Sequence, residues 1–264
     1  MKKILILVLL TNLCSFDILA QYKAIYKVSY TLDTAATKRK SELTTLYINA
    51  NQTSYFFSQN FQKMDSLRKK IAIDRTQTQI NIQSVALPKT AFKHFIEKQY
   101  ATQEIKVFKH IHTTNYTYLA KNLLNWQLYA DTLNIKNYVC NKATVKLEGR
   151  EYTAWYTSEI PISDGPYKFW GLPGLILKIA DTQNHYEFLL ESFEKYTDNP
   201  PPRPYQDHKT FDVSYDEYKM LSKEAVENPF LARERQGGAK LISVNGEDPN
   251  IKLSKIKVNP LERF

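Results

Sequence analysis

The sequence predicts a mainly β fold: a single curved antiparallel sheet, or half-barrel, with one or two short helices. Three observations carry this. Apolar and polar residues alternate with a period of two through much of the chain, the alternating runs are short and bounded by polar turn residues, and few stretches show helical spacing. No repeat of fixed period interrupts the pattern. A chain of 264 residues can bury a substantial core within one β domain.

Residues 1–20 open with Lys2 and Lys3, continue through the apolar run 4–10 and close on Ala20, which is the layout of a secretory signal peptide. The apolar run is too short to span a bilayer. Cleavage after Ala20 is expected, leaving an exported chain that begins at Gln21 and has no transmembrane segment. A lipoprotein reading with Cys14 acylated fails because Asn12 and Leu13 stand where small residues are needed. The formal net charge of +9 becomes +8 once Lys2, Lys3 and Asp17 leave with the signal. A basic exported chain is drawn to acidic envelope surfaces. Nucleic acid is not expected as a partner, because no binding motif accompanies the charge. With Cys14 removed, Cys140 has no internal disulfide partner, so stability must rest on packing.

The elements follow in order. Tyr22, Ala24, Tyr26, Val28 and Tyr30 alternate with Lys23, Lys27 and Ser29 as a half-buried strand. Residues 43–48 and 53–57 flank the polar turn 49–52 as a hairpin, and 60–70 reads as one or two helical turns or a mobile loop. A strand is expected at 78–84. Pro88 followed by Phe92, Phe95 and Ile96 at helical spacing reads as a short helix within 87–98. Strands resume at 105–111, 115–119 and 126–129. In the run 139–147, Val139, Asn141, Ala143, Val145 and Leu147 share one face, which leaves Cys140 on the polar-looking one. Gly149 turns the chain into 150–157, and a proline-rich loop occupies 158–174. Strands 175–180 and 185–193 then form a central hairpin. Residues 198–204, Asp-Asn-Pro-Pro-Pro-Arg-Pro, form a stiff connector that divides a β domain, 21–197, from a C-terminal part, 198–264, packed on it. Ser214 with Glu217 makes a capping box for a helix ended by Asn228-Pro229, and the tail from Gly237 reads as polar and mobile.

The loop is the unusual element. The chain has 7 glycines, yet Gly165, Gly171 and Gly174 fall close together and alternate with Pro166 and Pro173. Glycine supplies positive φ or close approach, and proline fixes φ. The hexapeptide Gly171-Leu172-Pro173-Gly174-Leu175-Ile176 resembles the hallmark of the GLPGLI family, also known as the Porph_ging domain. Gly149-Arg150, Ala154-Trp155-Tyr156-Thr157, Glu159-Ile160-Pro161-Ile162, Gly165-Pro166 and the ending Asn259-Pro260-Leu261-Glu262 extend the resemblance. It implies an exported protein of a Gram-negative envelope and brings no activity with it. The run of alternating strands also resembles, in pattern only, the half-barrel of periplasmic lipoprotein carriers.

Chemistry-bearing groups are sparse. There is no Gly-x-Ser-x-Gly elbow, and the glycine spacing does not fit a phosphate cradle. His110 and His112 would share a strand face without an evident third ligand, so no metal is expected, nor any cofactor. Cys140, beside Lys142 and Lys146, has no histidine nearby in sequence and reads as structural. The carboxylates Glu148, Glu151, Glu159, Asp164 and Asp181 surround the loop, and a hydrolase using a pair of them is the alternative reading. Asp33-Thr34-Ala35, Asp65-Ser66-Leu67 and Asp131-Thr132-Leu133 resemble an O-glycosylation triplet of some Gram-negative envelopes. Trp155, Tyr167, Phe169 and Trp170 form an aromatic cluster that would serve as a binding platform, with Tyr167 and Trp170 the most exposed, or as the plug of the core. The function expected is that of a non-enzymatic binding protein of the envelope, taking an apolar ligand, a lipid or a protein partner.

Overall fold

The computed structural model describes residues 20–31, 39–74, 88–112, 114–121, 124–228 and 261. Its strands are β1 Tyr22–Tyr30, β2 Lys40–Ile48, β3 Thr53–Ser58, β4 His94–Gln99, β5 Glu104–Ile111, β6 Thr114–Lys121, β7 Gln127–Ile135, β8 Tyr138–Leu147, β9 Arg150–Thr157, β10 Leu175–Asp181, β11 Tyr186–Lys195 and β12 Thr210–Asp212, with helices α1 Gln59–Asp74 and α2 Tyr215–Glu227. Among the described residues all twelve strands belong to one sheet, in the order β12-β6-β5-β4-β3-β2-β1-β11-β10-β9-β8-β7. Two meanders therefore run outward from the central β1–β11 pair. Every pairing is antiparallel except β12 on β6, which is parallel and departs from the expected pattern.

The sheet is curved without closing. Chain length makes the curvature necessary: β6 lies next to one edge and β7 is the other, yet only residues 122–126 join them, a reach of at most roughly 20 Å. The result is a bowl. Its inner face carries Tyr26, Val28, Leu46, Phe56, Ile96, Val107 and Phe188, each 0–2 % exposed.

The strand at 22–30, the hairpin over 43–57 and the central hairpin β10–β11 stand as the alternation predicts. Others differ. No helix forms over the described residues 88–98, because cross-strand pairing with β3 and β5 overrides the local spacing. In β4, Phe95 stacks on Phe57 outside the bowl and Ile96 turns inward. Helix α1, left open as a short turn or loop, runs for 16 residues. The strand expected at 126–129 continues to Ile135. The strand at 78–84, residues 1–19 of the signal peptide and, apart from Leu261, the tail beyond Gly237 lie outside the described residues. Helix α2 carries the capping box intact: Ser214 accepts from the Glu217 N–H while Glu217 accepts from the Ser214 N–H.

The proline connector crosses the outer face. Arg203 sits over the Phe108 ring at 4.4 Å, and Tyr205 stacks on His110 at 4.2 Å. His112 lies beyond the end of β5 with φ 53°, so the two histidines do not share a strand face. Burial holds the His110 imidazole down to about 4, with Lys93 and His208 adding to the effect and the hydrogen bond with Asn115 opposing it. The folded chain thus keeps His110 neutral where the unfolded chain protonates it. Its stabilising contribution is complete above pH 6.5 and is lost as pH falls through about 4. Urea midpoints at pH 7 and pH 4 should differ less for His110→Gln than for wild type, by on the order of 2 kcal/mol. An unchanged difference would refute this.

Candidate functional site

Loop 158–174 does not project from the sheet; it turns into the bowl and fills it. Tyr167 is 1 % exposed, Phe169 0 %, Trp170 8 % and Leu172 1 %. The expectation that Tyr167 and Trp170 are the exposed members of the aromatic cluster is corrected on this point. Phe169 meets the Tyr152 ring edge-on at 4.7 Å, Tyr167 meets the His94 ring, and Trp126 Nε1 donates to the Trp170 carbonyl at 2.8 Å. Trp155, on β9, is half-buried against the core.

Gly165 and Pro166 lead into this turn. Tyr167 sits in the left-handed region at φ 55°, a conformation that costs an aromatic residue about 1–2 kcal/mol and persists because the ring is enclosed. Gly171 takes φ 89° and Gly174 φ 149°. Pro173 stands between them, and the chain leaves directly into β10. There Leu175, Ile176, Leu177 and Ile179 are all 0 % exposed. Both faces of β10 are therefore covered.

Three buried ion pairs tie the plug and its surroundings to the bowl. Lys98 Nζ, from the inner face of β4, donates to Asp164 Oδ1 at 2.5 Å, to the Gly165 carbonyl at 2.7 Å and to the Phe169 carbonyl at 3.2 Å. Asp164 also accepts from the Tyr100 hydroxyl and from the Gly165 N–H at 2.7 Å. Both ionic side chains are wholly buried. Lys168 pairs with Glu148, donates to the Tyr118 hydroxyl at 2.8 Å and lies over the Tyr118 and Tyr167 rings. Tyr215 of α2 reaches the same Glu148 at 3.3 Å, which links the helix to the β8–β9 turn. Arg150 holds Asp181 at 2.9 Å and donates to the Leu261 carbonyl at 3.1 Å.

The carboxylates around the loop therefore do not converge. Glu148, Asp164 and Asp181 each have their own cation; Glu159 is exposed and accepts from the Val139 N–H, and Glu151 is exposed. Cys140 is 0 % exposed, although alternation puts it on the polar-looking face; the buried positions of β8 are 140, 143 and 145. Burial pushes its thiol up to about 11. Sequence reasoning missed Lys98, Tyr100 and Lys168 as anchors of the loop. One signal was present: Lys98 shares the parity of Ile96 in β4, which puts it on the apolar face.

With the centre occupied, open space remains at one rim. A cavity of about 320 Å³ lies between α2 and the ends of β4 and β5, walled by Phe92, Ile111, Tyr186, Ala225, Val226 and Leu261. Lys93, His94, Lys109, His110, His112 and Ser222 complete the wall as its polar part, with Lys109 Nζ 2.7 Å from His94 Nε2.

Residues 146–178 match the family model described as a protein of unknown function, Porph_ging. The match covers the end of β8, all of β9, the plug and the first half of β10, which are the elements that build the filled bowl. No curated protein matches the chain. Two crystal forms of PNGF-II are similar in fold, with TM-scores of 0.52 and 0.53 at 12 % identity over 78 % of this chain. The chain spans about a third of the PNGF-II length, 34 % and 33 % in the two structures. A LolA superfamily protein, NE2245 from Nitrosomonas europaea, overlaps at 8 % identity with a TM-score of 0.28, covering 69 % of this chain and 88 % of its own. At that score the overlap bears on neither fold nor function.

Proposed function

We propose that this is an exported, envelope-associated binding protein without a catalytic role, and that it takes a small apolar ligand or the end of an acyl chain at the rim of the bowl. The observation that carries the reading is the cavity between α2 and the sheet. Its volume of about 320 Å³ is at the lower end of ligand pockets, and it has an apolar wall, built by Phe92, Ile111, Tyr186, Ala225, Val226 and Leu261, that faces a polar one carrying lysine and histidine. The central concavity is not the binding space, because the plug occupies it. The separate neutralisation of Glu148, Asp164 and Asp181 supports binding over hydrolysis, which needs two carboxylates facing one space. The leader-like residues 1–20 and the basic balance support export and attraction to acidic surfaces.

Fluorescence titration of the exported chain with N-phenyl-1-naphthylamine tests this. One saturable site is expected, and Ala225→Trp, which fills the cavity from the α2 side, should weaken it at least tenfold, about 1.4 kcal/mol. Non-saturable binding, or equal affinity in Ala225→Trp, would overturn the reading.

A further inference from the structure

The cavity between α2 and the sheet is lined by charge of one sign. Lys93 and Lys109 border it, and no aspartate or glutamate does so among the described residues. The acids bonded to lining residues have other partners and stay outside the space. Glu42 accepts from the Ala91 N–H and from the Ser58 and Thr90 hydroxyls, and Asp181 accepts from the Tyr186 N–H and is held by Arg150 at 2.9 Å. Helix α2 repeats the asymmetry. It turns Ser222, Ala225 and Val226 to the cavity, while Glu217, Glu224 and Glu227 border a separate groove beside Met220.

Lys93 is the informative member of the wall. It is half-buried, no carboxylate among the described residues forms an ion pair with it, and burial holds its ammonium below the ordinary value with no opposing charge. A desolvated cation without a counter-ion is costly, and an anion brought by a ligand offsets that cost through charge-assisted hydrogen bonds. Lys109 comes from the neighbouring strand, where it is the cross-strand partner of His94 and is positioned by contact with that ring. His110 adds no charge here, since its ring is held neutral, bonds with Asn115 and stacks on Tyr205.

Resting on the reading that this cavity takes an apolar ligand, we propose that the ligand is an anionic amphiphile, a single acyl or alkyl chain that ends in a carboxylate or a phosphate monoester. The chain lies against Phe92, Ile111, Tyr186 and Val226, and the head group meets Lys93 and Lys109. A lysine ammonium is a compact point charge with rotatable donors, so it receives either head group without the fixed fork that would select one of them. A neutral amphiphile of the same length fills the apolar part and leaves Lys93 desolvated without compensation. A cationic one meets like charge.

Isothermal titration calorimetry of the exported chain with decanoate, decyl phosphate, decanol and decyltrimethylammonium tests the assignment. At least one of the two anions should bind about tenfold or more tightly than decanol, a difference of about 1.4 kcal/mol, and decyltrimethylammonium should bind more weakly than decanol. Whichever anion binds more tightly identifies the head group. In the double variant Lys93→Gln, Lys109→Gln the preference for the anion over decanol should fall to about threefold or less. The control Lys27→Gln, Lys136→Gln removes the same charge from exposed positions and should keep the preference. Ala225→Trp should weaken the anion and the alcohol alike, and circular dichroism establishes that every variant is folded. Equal affinity for anions and decanol, or a preference that survives loss of Lys93 and Lys109, would overturn the inference. So would a preference lost equally in the control, anion binding indifferent to Ala225→Trp, or inorganic phosphate binding as tightly as decyl phosphate. If N-phenyl-1-naphthylamine still binds saturably in those cases, the apolar cavity stands and only its anionic occupant is lost. Absence of saturable binding by every probe removes both.

Discussion

Gly174→Ala is expected to abolish folding or to cost at least about 4 kcal/mol, a magnitude reserved for backbone collisions and similar failures. A Cβ at this position would lie 2.0 Å from the Thr157 carbonyl oxygen, 2.6 Å from its carbon and 3.0 Å from the Ser158 nitrogen. All three are backbone atoms at the end of β9, so nothing can rotate away, and the φ of 149° adds strain of its own. Gly171→Ala is the control. It shares a positive φ, 89°, but the nearest atom to its Cβ is Trp126 Nε1 at 3.8 Å, so only the conformational cost of about 1–2 kcal/mol applies. Gly165→Ala falls between them: its Cβ would meet Ile176 Cδ1 at 2.7 Å, which can repack, and Ile176 Cβ at 2.9 Å, which moves only with the strand, so a cost of about 3 kcal/mol is expected. Urea unfolding of the three variants reads the order directly. Equal destabilisation by Gly171→Ala and Gly174→Ala would show that the plug is held by flexibility and not by close approach.

The hallmark hexapeptide is thus two requirements joined: a positive-φ turn at Gly171 and a backbone crossing at Gly174. Sequence shows that glycine is needed at both positions; it does not distinguish the reasons, because contact between Gly174 and Thr157 depends on how β9 and β10 register. The same limit runs through the molecule. Strands with strict alternation, such as Tyr22–Tyr30, were legible because one face is buried and the other wet. The stretch 87–98 was misleading because Phe92, Phe95 and Ile96 are all buried, by three different neighbours on two faces, and the resulting spacing imitates a helix. The exposure of Leu128 and Leu133 was not legible at all, because only topology shows that β7 is the last strand of the sheet among the described residues. Tyr167 and Trp170, expected to be the exposed members of the cluster, are instead enclosed: the Tyr167 hydroxyl reaches Glu148 and the Trp170 ring packs against Tyr100.

Asp164→Ala should destabilise the chain by about 3–5 kcal/mol, since it leaves Lys98 charged, unpaired and wholly buried. The double variant Lys98→Met, Asp164→Ala should recover most of this loss, because a buried pair replaced as a unit leaves no orphaned charge. The pH dependence separates charge from lost packing. Burial already holds the Lys98 ammonium below its ordinary value, and Asp164 is what opposes that fall. Without Asp164 the folded-state value drops further, while the unfolded chain stays near about 10.4. Between those two values the unfolded state binds more protons, so stability from this group rises with pH. The gap in urea midpoint between wild type and Asp164→Ala should therefore narrow from pH 7 to pH 9.5. Tyr26 and Tyr100 do not confuse the measurement, because burial raises both well above 10 and they stay neutral across the window. A gap that holds constant with pH would mean that Asp164 acts through its hydrogen bonds to Tyr100 and Gly165. The plug would then be seated by neutral donors, with Lys98 filling space beside them.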